Sequence, residues 1–201
     1  MHQNTPRTFV ISCALILSAI ALAGCTINLG PSESDKGSAM METNGMMSNS
    51  NNSLTFSGSD IMFAQMMIPH HQQAVDIATL AETRALSPQV KALATKIKSA
   101  QSPEITQMKG WLKSANAPLT MGHAMGMDGI LSDSQMKALE NAKGAEFDKL
   151  FLQGMIAHHQ GAIHMAQMVV DSNNAEARAL GKAITDSQTK QIAYMMTLTS
   201  K

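Results

Sequence analysis

The chain has 201 residues, 15 basic against 15 acidic, so its formal net charge is zero, and 44% of it is hydrophobic. That balance implies no basic face and argues against a nucleic-acid binder. The compositional surplus lies elsewhere, in 18 Met and seven His beside only two Cys.

Residues 1–24 carry a single Arg7, followed by an apolar run that closes on Leu22-Ala23-Gly24-Cys25. A short positive start, an apolar core and small residues before a cut describe a secretory signal, too short for a membrane span. The ending is similar to a bacterial lipobox, which implies cleavage before Cys25, lipidation of that thiol and tethering to a membrane. Removing residues 1–24 takes one basic and no acidic residue, which leaves 14 against 15. Cys13 leaves with the signal, so the mature domain has no disulfide in an oxidising compartment and must be held by packing.

Residues 25–57 are rich in Ser, Asn, Gly and Met and poor in branched apolar residues, the composition of a disordered tether. Two Met doublets stand in it, Met40-Met41 and Met46-Met47. On a helix Met is by default a flexible core filler, but a tether has no core to fill, so these four read as ligands.

The sequence predicts an all-α domain over residues 58–201. Ser59 or Asp60 is expected to cap a first helix running to about Leu86, with Phe63, Met67, Ala74, Ile77, Ala78 and Ala81 at helical spacing. Pro69 interrupts that pattern and predicts a kink before His70. A second helix is expected from Ser87-Pro88 to about Leu112, bent at Pro103 and ended by Trp111 as a packing cap. Residues 117–131 then form a joint containing Met121, His123, Met125 and Met127 between small residues. A third helix, opened by the capping box Ser132-Asp133-Ser134-Gln135, is expected to continue to Val170, with a possible break near Gly144. The fourth covers Ala175 to about Leu198.

The chain repeats itself. Phe63-Ala64-Gln65-Met66-Met67-Ile68-Pro69-His70-His71-Gln72 returns as Phe151-Leu152-Gln153-Gly154-Met155-Ile156-Ala157-His158-His159-Gln160, with Asp60 and Asp148 ahead of each copy. Downstream, Ala92-Leu93, Ile97, Gln101, Ile105 and Met108 return as Ala179-Leu180, Ile184, Gln188, Ile192 and Met195. Two copies are too few for a solenoid, so the pattern predicts two duplicated helical hairpins, residues 58–116 and 132–201.

Thioether and imidazole are the donors this composition offers. Thioethers select Cu(I), and imidazole serves Cu(II), Zn and Ni as well, so Cu(I) or Ag(I) is the first choice of ion and Cu(II) the second. The candidate ligands are His70, His71, His158 and His159, with Met67 and Met155 one turn before them, Met66 beside the first pair and His164 beyond the second. The Met and His residues of the joint and tether complete the set. Adjacent histidines lie about 100° apart around a helix, so one of each pair is expected to face inward and the other an exposed or interhelical edge. A structural role stands beside ligation: the ring N–H groups could pair with Asp60, Asp148, Gln101 or Gln188, and Met67 and Met155 could simply fill the core.

The doubled Asp-x2-Phe-x3-Met-x2-His-His-Gln-x-Ala pattern, the Gln-bearing helices and the Met-rich joint resemble the CopM-like family, domain of unknown function 305. The resemblance covers nearly all of residues 58–200. It implies a ferritin-like four-helix bundle and periplasmic copper binding. The copies differ where Gln73 aligns with Gly161, Asp76 with His164, Glu104 with Gln191 and Trp111 with Leu198. A di-iron oxidase on the same fold would need Glu-x-x-His motifs, and the chain contains none. The expected function is therefore an extracytoplasmic, lipid-anchored protein that sequesters copper or hands it on, to another envelope copper protein among other recipients, without catalysis. A metal-dependent redox enzyme and a helical interaction protein are the alternatives.

Overall fold

The computed structural model describes residues 55–121 and 126–200. Among them the chain is all helix and turn: α1 (Gly58–Arg84), α2 (Pro88–Ser114), α3 (Asp133–Asn141), α4 (Gly144–Ala166), a 3-10 turn (Gln167–Val169) and α5 (Ala175–Thr199). The expected signal segment, Cys25, Met40, Met41, Met46 and Met47 lie outside the described residues, as do His123 and Met125.

Local chemistry explains where each helix begins and ends. The N-cap of α1 is Ser57, not Ser59 or Asp60. Its Oγ accepts from the Asp60 N–H at 3.2 Å while the Asp60 carboxylate accepts from the Ser57 N–H at 2.7 Å, a closed capping box that moves the start upstream. Ser87 caps α2, with Pro88 in the first turn where its missing N–H costs nothing. Neither Pro69 nor Pro103 ends its helix, and α2 continues past Leu112 to Ser114. The third expected helix is divided: Ala142 closes α3, and Gly144, at the start of α4, has φ +67°, a left-handed conformation that an L side chain rarely adopts and that cannot carry a right-handed helix on from α3 into α4. Asn174 caps α5 through Oδ1, which accepts from Glu176 N and Ala177 N.

The two repeated aspartates do different work. Asp60 serves its own helix start, whereas Asp148, inside α4, accepts from Leu86 N at 3.1 Å and Ser87 N at 2.8 Å and so pins the α1–α2 corner to α4.

α1 packs along α2 and α4, and α4 along α5. Two apolar clusters result. One gathers Ala74, Ile77 and Ala81 of α1 with Val90, Leu93 and Ile97 of α2, Phe147, Phe151 and Met155 of α4, and Met195 of α5. The other gathers Phe63 and Met67 with Ile105, Met108 and Leu112, Ala162 and Met165, and Leu180 and Ile184. On every long helix a polar segment separates the two: His70-His71 on α1, Gln101 on α2, His158-His159 on α4 and Gln188 on α5. All six side chains are buried. The apolar core is thus cut across its middle by a polar layer, to which each long helix contributes.

Trp111 closes one end of the second cluster. It is buried, its ring stacks on Phe56 at 5.0 Å, and its Nε1–H donates to Glu176 at 3.0 Å, which ties the end of α2 to the start of α5.

Candidate metal centre

The polar layer is the candidate site, and helix geometry builds it. Both members of each His pair are fully buried, which excludes an exposed edge and leaves the interhelical one for the second member of each pair. Each helix has two inward seams about 100° apart, and adjacent residues serve one each. On α1, His70 meets His158 of α4 with ring centroids 3.8 Å apart, while His71 turns to α2 and Glu104. On α4, His158 returns the contact to α1 and His159 turns to Gln191 of α5.

Three of the four rings are held by the same atom. His71 Nε2–H donates to Glu104 Oε2 at 2.8 Å, His159 Nε2–H to Gln191 Oε1 at 2.6 Å, and His70 Nε2–H to the Asp128 carbonyl at 3.1 Å. Each acceptor is an oxygen, which places the ring proton on Nε2 and leaves Nδ1 as a bare lone pair. The Nδ1 atoms of all four histidines are buried and have no protein partner, and for His158 the same is true of Nε2. An imidazole oriented through one nitrogen, with the other free, has the arrangement of a metal-binding histidine with its supporting oxygen. The structural pairing expected with Asp60, Asp148, Gln101 or Gln188 is not what is found. Asp60 closes the capping box of α1 and Asp148 pins the α1–α2 corner, and both amide atoms of Gln101 and Oε1 of Gln188 are themselves without a protein partner.

Electrostatics keep those lone pairs available. Burial, then the proximity of His71, lowers His70 from 6.5 to about 3. Burial and the neighbouring His70 hold His158 well below 6.5, and burial takes His159 to about 4 against the opposing bond to Gln191. These three rings are therefore neutral at physiological pH, the form that binds metal.

Met67 and Met155, each four residues before the second His of its pair, are fully buried and belong to the two opposite apolar clusters. They fill the core on either side of the polar layer, each one helical turn from the second histidine of its pair. Met66 is buried beside Met67. No three His, Cys, Asp or Glu side chains among the described residues are grouped so as to hold one ion. An ion in the layer would thus combine one or two imidazoles with thioether sulfur, a donor set suited to copper.

The remaining candidates lie apart. His164 is exposed on α4, its Nδ1 3.1 Å from Asp128 Oδ2. Met121 and Met127 are half-buried and pack on the second apolar cluster, so these two methionines of the joint cover a core as well as offering thioethers.

The joint reaches the layer because the two copies differ. Gln73 holds Leu131 by both backbone groups, accepting from its N–H at 2.8 Å and donating to its carbonyl at 2.9 Å. At the aligned position of the second copy stands Gly161, where a Cβ would lie 1.9 Å from the Asp128 carbonyl oxygen. One side chain grips the strap 126–131 and one missing side chain lets it in, which delivers the Asp128 carbonyl to His70. Glu104 and Gln191 stood out in the sequence as a difference between copies, but not as histidine partners. That signal was one turn of helix away, three residues beyond Gln101 and Gln188.

None of the described helices is long and apolar enough to cross a membrane. Residues 60–199 match the family model described as Domain of unknown function (DUF305). Among solved structures, the chain is similar to a DUF305 protein from Streptomyces coelicolor, described as a presumptive secreted protein, with 31% identity, a TM-score of 0.67, and 70% of this chain and 91% of that one covered. A DUF305 fragment from Deinococcus radiodurans gives 28% identity and a TM-score of 0.66 over 72% of this chain and 97% of its own. CopM in its Cu(I)-bound form gives 34% identity and a TM-score of 0.59 over 69% and 94%, and CopM is also seen with Cu(II) and with Ag bound. No curated protein sequence shows significant similarity to the chain. With its doubled His-His motif, its buried imidazole layer and a family match that spans all five helices, the chain belongs to the DUF305 family.

Proposed function

We propose that this protein binds copper outside the cytoplasm, taking Cu(I) in preference, with Cu(II) and Ag(I) as further cargo, and sequesters it or hands it on for metal tolerance. The observation that carries this reading is the layer of four buried histidines, three of them held through Nε2 with Nδ1 left as a bare lone pair, with a buried methionine one helical turn before the second histidine of each pair. Copper-bound and silver-bound CopM at about a third identity support the same class of ion. The four long helices act as a ferritin-like bundle with α3 as an addition to the joint. Cys25 carries a lipid that tethers the domain to a membrane, and Met40, Met41, Met46, Met47, His123 and Met125 offer outer, exchangeable donors. On this reading the protein binds and releases its ion without catalysis: the one carboxylate hydrogen-bonded to the layer among the described residues, Glu104, is engaged in holding the His71 ring.

The test is a Cu(I) titration of the full chain against a competing chelator, beside a variant with His70, His71, His158 and His159 all replaced by Ala. The expected outcome is a lower binding capacity with helical circular dichroism retained. Unchanged capacity would move the site to the methionines of the joint and tether, and no binding by the wild type would remove the copper reading altogether.

A further inference from the structure

The duplication makes the two halves of the polar layer nearly equivalent, which isolates a single difference of charge. Each half presents a fully buried second histidine, His71 or His159, with a buried methionine one turn before it and a buried glutamine on the helix it faces. Each of these histidines donates from Nε2 to an oxygen at hydrogen-bond distance, and each leaves Nδ1 bare. The acceptor is a carboxylate on one side and a neutral amide on the other. Glu104 is the only carboxylate among the described residues hydrogen-bonded to the layer, and its side chain is 16% exposed, so water screens it weakly.

We propose that the Glu104–Gln191 exchange makes the two half-sites unequal: the half built on His71 takes the divalent ion, and the half built on His159 takes the monovalent one. This rests on the copper-binding reading above and names which ion goes where. Moving a cation out of water is costly unless a counter-charge accompanies it, and His71 relays that counter-charge through its ring. An ion on Nδ1 would stand about 6–7 Å from the carboxylate, summing a metal–nitrogen bond, the width of the ring and one hydrogen bond. Coulomb attraction at that distance is linear in the charge of the ion, so a divalent ion gains twice the logarithm of affinity that a monovalent ion gains. The amide of Gln191 orients its ring equally well and adds no such term.

The linear law supplies the test. Glu104→Gln places at one half the residue that the other half already uses to hold its histidine, so the hydrogen bond and the fold survive. Full-length wild type, Glu104→Gln and the reciprocal Gln191→Glu are titrated with Ag(I), a redox-inert monovalent probe, and with Cu(II) followed by electron paramagnetic resonance. Glu104→Gln is expected to weaken Ag(I) by at least about fivefold and Cu(II) by the square of that factor at one site, and Gln191→Glu to strengthen Cu(II) at the other by a similar factor. Equal losses for the two ions, or no change in either variant, would overturn the assignment while leaving copper binding intact. A wild type that binds neither ion would overturn both readings, which keeps the two failures distinct.

Discussion

His70, His158 and His159 are weak bases made weaker by the fold, and this has a thermodynamic consequence. Their folded values, about 3 for His70, about 4 for His159 and well below 6.5 for His158, lie under the unfolded value of 6.5. Between these limits the unfolded chain binds protons that the folded chain refuses. The stability tied to the neutral rings is complete above about pH 6.5 and is lost as the pH falls toward the folded values, by up to about 1.4 kcal/mol per pH unit for each ring. Thermal melts of the metal-free chain should show a marked drop in Tm between about pH 7 and pH 5. A Tm unchanged across that interval would mean that these rings are hydrated or already charged in the folded state.

Among the elements, the strap 126–131 is the one whose seat depends on a single missing atom. Gly161→Ala would drive a Cβ to 1.9 Å from the Asp128 carbonyl oxygen, backbone that cannot rotate away, so the strap must lift or α4 must shift. A loss of about 1–3 kcal/mol is expected, read as a lower Tm and faster proteolysis within residues 117–131. Gly110→Ala is the control. It lies inside α2 with no heavy atom within 4 Å of the added carbon, and it should gain about 0.5–1 kcal/mol. The contrast also shows how far the sequence could be read. Helical periodicity revealed the long helices, and the repeat revealed the two His pairs, because both are patterns along one chain. The division at Gly144 was visible only as a weakness, since propensity cannot show that φ turns positive. The grip of Gln73 on Leu131 spans 58 residues and joins a helix to a loop, so no local period records it. The repeat did mark the position, as a Gln aligned with a Gly. Its meaning depended on where the joint lies.

The whole molecule keeps its polar layer at a cost. Two apolar clusters that could have met as one continuous core are separated by side chains several of whose nitrogens and oxygens lack protein partners. Gln101 makes that cost measurable, because it is 2% exposed and both of its amide atoms are unpartnered. Gln101→Leu should stabilise the metal-free chain by about 1–3 kcal/mol, seen as a higher urea midpoint at unchanged m-value, and should weaken ion binding if the amide supports the layer. A destabilised variant would instead show that the amide holds the fold. At the far end of the second cluster the molecule carries its own optical gauge. Trp111 is the only tryptophan in 201 residues, and it touches Phe56 on the approach to α1 and Glu176 at the start of α5. Its fluorescence therefore reports one place and no other, where the chain enters the domain and the two hairpins are joined. Loss of the Phe56 stack or of the Glu176 bond would each change the surroundings of that indole, so one emission spectrum reads the security of both fastenings.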